Sequence, residues 1–400
     1  MRLRNLGEAA VALRDRVRRT DLVSAVTPLG WGVAGLGAVC AVVGWLWGWL
    51  EFRALGFLAL ALVAVAVLLT LRRVTHDVTL ELHQPRVKVG EPGLGRVWVR
   101  GQRAGSPAAA IELPVGRVVA RFRVAALGAD DSHEELFSIP TRRRGVIPVG
   151  PVRAVQADPV GLMRRTRELT PPQELFIHPK VVMVEATAIG FLKDVEGVTT
   201  ANLSSSDVSF HALREYVPGD DRRSVHWKTT ARTGRLMVRQ FEETMRAHLL
   251  LLLSTVRRDY ATDDDFEAAL SAAASLGLAA LREERQVSFY TSAGRVMFPT
   301  GVGLLDELCR VELADDGASL RELALLAGNE ASGISVAGFV TGGTDPVELR
   351  AAQLVFPPQI RTFALRNQSD LPLARHQVGD ITVLDLPDVE ELPRVLGSLT

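Results

Sequence analysis

LGWGVAGLGAVCAVVGWLWGWL, residues Leu29–Leu50, is followed after Glu51-Phe52-Arg53 by ALGFLALALVAVAVLLTL, residues Ala54–Leu71. The first run carries no charge, and neither does the second. At ~1.5 Å per residue, about 20 helical residues cross a hydrocarbon core of about 30 Å. The pair therefore reads as two transmembrane helices over residues 29–73, joined as a hairpin through Glu51-Phe52-Arg53. Glycines and alanines in both runs let the helices approach closely. Trp45, Trp47 and Trp49 gather near one end of the first run, where amphipathic rings favour the membrane–water boundary. A secretory signal fits poorly, because the apolar run is too long for its core and a charged arm, residues 1–28, comes first.

The flanking charges orient the hairpin. Arg2, Arg4, Arg14, Arg16, Arg18 and Arg19 precede it, Arg72 and Arg73 follow it, and the connector holds Arg53 alone. The positive-inside rule puts both termini and everything beyond Val74 on the cytoplasmic side of the cell inner (plasma) membrane. The basic arm could also meet anionic lipid, although its role as a topology signal needs no such contact.

Bulk composition narrows the rest. The 400 residues hold 46 basic and 46 acidic side chains, so the chain has no general pull toward nucleic acid. Cys40 and Cys309 are far apart, which argues against a disulfide framework or a cysteine zinc site and fits a reducing compartment. No cofactor is expected.

Residues 74–180 read as short strands. Asp77–Leu82, Arg96–Arg100 and Arg121–Val124 alternate polar and apolar, and stretches such as Gly90-Glu91-Pro92-Gly93 supply turns. Period two with regular turns predicts a small antiparallel β-sandwich-like domain. Arg142-Arg143-Arg144-Gly145 fits a solvated turn within it.

Residues 246–400 read as an α/β domain with a mostly parallel sheet. His248–Leu253 is nearly all apolar, as in a strand covered on both faces. A helix follows over Asp263–Glu284, with Thr262 and Asp265 spaced as a capping box and Asp263, Asp264 and Asp265 at the positive end of its dipole. Strands are expected at Val287–Thr291, Ile334–Thr341, Ile360–Leu365 and Ile381–Leu386. Helices are expected at Leu304–Leu313, Leu320–Gly328, Pro346–Leu354 and Val389–Leu396.

Between these domains, residues 181–245 contain the densest mixture of charge and ring chemistry: FHALREYVPGDDRRSVHWKTTARTGRLMVRQFEE, Phe210–Glu243. Arg223, Lys228 and Arg232 could pair with Asp220, Asp221 and Glu215, and Trp227 could stack on a guanidinium. Three readings compete: an internal ion-pair network at a domain junction, a recognition surface for an acidic partner or phosphate, and a hydrolase site with His226 as base and Asp220 as its orienter. No nucleophile elbow accompanies the last, since Ser224 and Thr229 stand without the expected turn. Acidic residues nearly balance the basic ones, so nucleic acid is not the expected partner.

At Tyr216-Val217-Pro218-Gly219-Asp220, Arg223, Trp227 and Ala231-Arg232 the sequence resembles the bacterial domain-of-unknown-function family numbered fifty-eight. Arg144–Gly150 followed by Asp158-Pro159-Val160-Gly161-Leu162 is similar to that family's lead-in. His226 departs from the pattern, where the family often has aspartate. The resemblance implies a C-terminal domain like von Willebrand factor A. It further implies an accessory role beside a MoxR-type AAA+ ATPase, with a transglutaminase-like membrane protein as a possible further partner. It marks Arg214, Tyr216, Gly219, Asp220, Arg223, His226, Trp227, Lys228 and Arg232 as the candidate binding residues.

A von Willebrand A domain that binds metal places an aspartate-x-serine-x-serine motif after its first strand, where oxygens converge on a hard cation. Here those places fall on Ser254, Val256 and Arg258, and an arginine there would repel a cation. Thr341 and Asp345 do not make a site by themselves. The expectation is a membrane-anchored scaffold or accessory protein that is not an enzyme. A hydrolase using His226 and Asp220 and a metal-dependent ligand-binding module are the alternatives.

Overall fold

In a computed structural model of the chain, the described residues are 25–70, 76–101, 108–128, 131–184, 209–218, 220, 225–242 and 248–397. The arginines of the N-terminal arm, with Arg72, Arg73, Gly219, Asp221, Arg223 and Ser224, lie outside them. The chain divides into two compact units, Met1–Ile177 and His178–Thr400. The polar segment thus belongs to the same unit as the α/β sheet.

Helix α1 (Pro28–Leu46) opens with Thr27, whose Oγ1 accepts from the Gly30 amide at 3.1 Å. Proline at the first helical position gives up an amide that has no intrahelical acceptor there. The chain reverses at Trp47-Gly48-Trp49, where Gly48 has φ 72°. Helix α2 (Leu50–Thr70) then runs back along α1. The connector therefore lies before Glu51-Phe52-Arg53, and those three residues form the first turn of α2. Two local facts explain the shift. Gly48 adopts a left-handed backbone that the tryptophans beside it would resist. Arg53, the charge that suggested a loop, folds back so that its Nε donates to the Gly44 carbonyl at 2.9 Å and its guanidinium lies 5.2 Å from the Trp45 ring. The helices meet through Gly37, Gly44 and Gly56, while Leu36, Leu58 and Leu68 point outward at 62%, 68% and 66% exposure. Both helices are long and apolar enough to cross a membrane, and their apolar side chains face away from the protein.

The β part of this unit comprises β1 (His76–Leu82), β2 (Arg86–Lys88), β3 (Gly93–Gly101), β4 (Ala109–Val115), β5 (Val118–Val124), β6 (Ser132–Ile139), β7 (Gly145–Val149), β8 (Arg153–Ala157), β9 (Arg164–Glu168) and β10 (Gln173–His178). One sheet has the order β1-β3-β6; the other runs β2-β10-β7-β4-β8-β9, with β5 paired to β4. The β1–β3, β3–β6, β4–β5, β4–β8, β7–β10 and β8–β9 pairs are antiparallel. Alternation turns Val78, Leu80, Val97 and Val99 of the first sheet and Ile111, Leu113, Val149, Leu175 and Ile177 of the second into one shared core.

Among the described residues of the second unit come β11 (Ser209–Glu215), α3 (Trp227–Thr233) and β12 (Met237–Glu242), in which β11 and β12 pair antiparallel. There follow β13 (His248–Leu253), α4 (Asp263–Arg282), β14 (Gln286–Thr291), β15 (Gly294–Val296), α5 (Gly301–Leu308), α6 (Leu320–Glu330), β16 (Ile334–Thr341), α7 (Pro346–Gln353), β17 (Arg361–Asn367), β18 (Ala374–Val378), β19 (Ile381–Leu386) and α8 (Leu392–Gly397). The sheet order is β15-β14-β13-β16-β17-β19-β18. Its five inner strands are parallel, and β15 and β18 close the edges antiparallel. α4 covers one face through Phe266, Leu270 and Ala273; α6 and α7 cover the other through Leu323, Ala327 and Leu349. Every residue of β13 is buried, as its apolar sequence requires. The capping box at α4 forms as the spacing predicts, with Thr262 and Asp265 bonded reciprocally.

Candidate functional site

The polar segment folds as a strand–helix–strand module. The β11–β12 ladder sets Glu215 opposite Met237 and Arg214 opposite Val238, and a bulge between Phe210 and Ala212 shifts its register. Val225 bridges to Val238, and both are buried, so the chain entering α3 is pinned to β12. His226 caps α3: its amide donates to the Met237 carbonyl at 2.8 Å, and its Nδ1 lies 2.7 Å from Thr229 Oγ1 and accepts from the Thr229 amide at 3.3 Å. Gly234, at φ 70°, ends the helix with its amide on the Thr230 carbonyl at 2.9 Å.

Two ion pairs brace the ends of this module. Arg214 Nη1 and Nη2 donate to Asp220 Oδ2 and Oδ1 at 2.8 and 2.7 Å, a two-pronged geometry that fixes direction as well as charge. Asp220 Oδ2 also accepts from the Val217 amide at 2.9 Å. The Arg214 fork, followed by that amide, holds the Asp220 carboxyl below the usual carboxylate range. Arg235 Nη1 reaches Glu215 Oε1 at 2.6 Å. The carboxylates of Asp220 and Glu215 are therefore taken by Arg214 and Arg235 rather than by Lys228 or Arg232. His226 turns to Thr229 while Asp220 turns to Arg214, so the base-and-orienter pair of a hydrolase is not assembled. Arg235 went unselected in the sequence because its partner is chosen by the hairpin and not by spacing along the chain.

What the module leaves free is the outer face of α3, which buries none of its residues. Trp227 is 68% exposed, and Lys228 and Arg232 are exposed with it. Tyr216 is half-buried and donates its amide to the Leu236 carbonyl at 2.8 Å, while Val217 and Leu236 are exposed. An exposed indole among cations and apolar side chains is chemistry for contact with another surface.

The carboxyl ends of the parallel strands are the second place where ligands commonly bind. β13 and β16 are neighbours, yet the chain leaves β13 for β14 and reaches β16 on the other side, which makes a switch point between them. Ser254, Asp259, Thr341 and Thr344 gather there, all buried. Their oxygens are turned on one another. Ser254 Oγ donates to Asp259 Oδ2, and the Thr341 and Thr344 hydroxyls bond each other. Tyr260 Oη donates to the Ser254 carbonyl at 2.7 Å, and the Gly343 amide donates to the Asp259 carbonyl at 2.7 Å. Asp345 caps α7 through the Val347 amide at 2.8 Å, and Asp263 pairs with Arg257 at 2.6 Å. Among the described residues no group of three or more His, Cys, Asp or Glu side chains converges as a metal site. Millimolar magnesium or manganese should give a flat calorimetric titration and an unchanged melt; a saturable isotherm abolished by Asp259→Ala would show that these oxygens can be re-aimed at a cation.

Comparison with known proteins places the module. Residues 212–399 match the model of a family described as "Protein of unknown function DUF58". That region takes in the Tyr216–Arg232 pattern and the whole α/β sheet. An uncharacterized protein, YeaD, of Bacillus subtilis (strain 168) is 28% identical over 166 residues, which are 38% of this chain and 39% of that protein. The chain thus matches well under two thirds of that relative's length. Among solved structures, the CARDB domain of a Pyrococcus furiosus protein aligns with 26% of this chain and 87% of its own at 14% identity and a TM-score of 0.20. A β-glucosidase from Listeria innocua aligns with 26% of this chain and 16% of its own at 13% identity and a TM-score of 0.17. Likenesses at this level say nothing further about this chain.

Proposed function

Since residues 212–399 belong to the DUF58 family, we propose that the chain is a membrane-anchored accessory protein whose α3 module docks a MoxR-type AAA+ ATPase on the cytoplasmic side. The carrying observation is that α3, capped by His226 and Gly234 and flanked by the Arg214–Asp220 and Arg235–Glu215 ion pairs, buries no side chain of its own. A helix of seven residues has little stability alone. Here a hairpin holds it with Trp227, Lys228 and Arg232 turned outward. Tryptophan and arginine are the residues in which binding energy most often concentrates. The cations favour an acidic partner surface and would speed encounter with it. The α1–α2 hairpin would hold the protein at the membrane, so an assembly role at that surface follows more naturally than turnover of a soluble substrate.

The test is binding of the purified ATPase to the full chain in nanodiscs. Trp227→Ala is expected to weaken binding by about 30-fold, the equivalent of about 2 kcal/mol. Its melting temperature should not change, because the ring is exposed. Arg232→Glu should slow association and make it less sensitive to salt. Retention of the ATPase by the Trp227→Ala variant at wild-type affinity would remove α3 as the docking surface. If the wild-type chain retains no ATPase, the partner assignment falls.

A further inference from the structure

The tip of the β8–β9 hairpin, Asp158-Pro159-Val160-Gly161-Leu162-Met163, is joined to the foot of the two apolar helices. Met163 forms an antiparallel bridge with Val26. The Thr27 amide donates to the Leu162 carbonyl at 3.0 Å, and the Arg164 amide donates to the Ala25 carbonyl at 2.7 Å. Thr27 Oγ1 donates to the Gly161 carbonyl at 2.7 Å. Leu162 and Met163 are 1% exposed, packed with Ala25, Val63, Ala66 and Val67. Gly30 is required beneath them, since a Cβ there would stand 2.2 Å from the Leu162 carbonyl oxygen.

The depth of this contact matters. It reaches back along α2 from Thr70 to Val63, two helical turns. With 21 residues, α2 is about 32 Å long, close to the thickness of a hydrocarbon core. With α2 read as the span, a tip lying against its last two turns meets the boundary between the hydrocarbon core and the headgroups. Val160, at the apex, is 54% exposed. The apex is also rigid. Asp158 is 6% exposed, and its carboxylate accepts from the Met163 and Val160 amides at 2.5 and 3.0 Å. Burial pushes the Asp158 carboxyl up, but amides of Met163, Leu162 and Val160 together outweigh it and hold the group below its usual range.

Strand β9 leaves this tip as Arg164-Arg165-Thr166-Arg167-Glu168. Arg164 forks onto Glu112 at 2.8 and 2.9 Å, and Arg121 reaches the same carboxylate at 3.0 Å. Arg153 pairs with Glu168 at 3.1 Å. Arg165 and Arg167 alternate to the other face of β9, away from Glu112 and Glu168, and add two cations there. Arginines on an edge strand also discourage strand addition. What selects a different role is place: these begin at the residue after the one packed on the helices.

We propose that the β8–β9 tip and the arginines of β9 form a seat for anionic phospholipid headgroups at the foot of the helical hairpin. Val160 enters the interfacial layer, and Arg165 and Arg167 take the phosphates, much as a juxtamembrane basic cluster does. The inference rests on the reading of α1 and α2 as membrane-spanning.

The experiment uses the full chain in mild detergent, titrated with short-chain phosphatidylglycerol, with phosphatidylcholine and with inorganic phosphate. Phosphatidylglycerol is expected to raise the melting temperature at concentrations at least tenfold below those of the other two. Arg165→Gln with Arg167→Gln should erase that tenfold preference, and Arg165→Lys with Arg167→Lys should keep most of it. If the glutamine pair fails to fold, Arg165→Gln alone and Arg167→Gln alone must each weaken the preference instead. An undiminished preference in either variant overturns the seat, as does stabilisation by inorganic phosphate at the same concentration. Alkaline extraction of membranes separates the two readings: a chain released as soluble protein defeats the membrane span itself, whereas a retained chain with no arginine-dependent preference defeats only the lipid seat.

Discussion

Asp265→Ala should destabilise the α/β unit by about 3 kcal/mol, a change of roughly a hundredfold in the folding equilibrium. Asp265 is 4% exposed at the start of α4. Its Oδ2 accepts from the Thr262 amide at 3.1 Å and from Thr262 Oγ1 at 2.8 Å, closing the capping box. Its Oδ1 accepts from the Ser369 amide at 2.9 Å, beyond the end of β17 and 104 residues away. Alanine keeps the Thr262 cap on the backbone amide of residue 265 but removes the reciprocal half of the box, leaving the partly buried Thr262 and Ser369 amides without an acceptor, each costing about 1–3 kcal/mol. Asparagine keeps one carbonyl oxygen and should lose about half as much. For a unit of this size, about 3 kcal/mol corresponds to a fall of about 6–12 °C in melting temperature. Circular dichroism melts of the full chain in detergent measure it. A fall of less than ~2 °C for the alanine variant would mean that the Ser369 contact is not formed in solution.

Asp265 also shows what was legible in the sequence. Its spacing from Thr262 announced a cap, but the three aspartates at 263–265 read alike as helix-end charges. The fold tells them apart: Asp263 pairs with Arg257, and Asp265 joins the helix to a distant strand end. Long-range partners of this kind have no signature along the chain. The buried strands were legible because apolar runs such as His248–Leu253 have one stable place. The edge strands were not. β15 is three residues long, and β18, Ala374-Arg375-His376-Gln377-Val378, is mostly polar, so neither stands out from a loop. Helix α5 was expected at Leu304–Leu313 and occupies Gly301–Leu308 instead. Thr300, whose Oγ1 accepts from the Gly303 amide at 3.1 Å, caps the helix and lets it start at glycine. In the polar segment the charge density was plain. The pairing was not, because the β11–β12 hairpin selects Arg214 with Asp220 and Arg235 with Glu215 while carrying α3 outward.

The helical hairpin should respond most sharply to Gly56→Leu. A Cβ at Gly56 would lie 2.6 Å from the Ala41 amide nitrogen and 2.8 Å from the Gly37 carbonyl oxygen. These are backbone atoms of α1, so no side chain can rotate away to make room. Within lipid, apolar side chains gain nothing by leaving the bilayer for each other, and helix association depends on close van der Waals packing. Leucine at position 56 must therefore push α1 and α2 apart, with a cost of about 3 kcal/mol or more. The displacement does not end there, because Ala66 and Thr70 on the same helix are buried at its foot and Leu162 packs over Gly30. Splaying the helices loosens the β8–β9 tip, so protease cleavage after Arg164 or Arg165 should rise together with the fall in melting temperature. Gly35→Leu is the control: nothing lies within 4 Å of a Cβ there, and leucine is the better helix former. It should leave the melt unchanged or raise it slightly. If both variants melt alike, α1 and α2 do not pack through Gly37 and Gly56, and the rigid foot on which the lipid seat depends is lost with that packing.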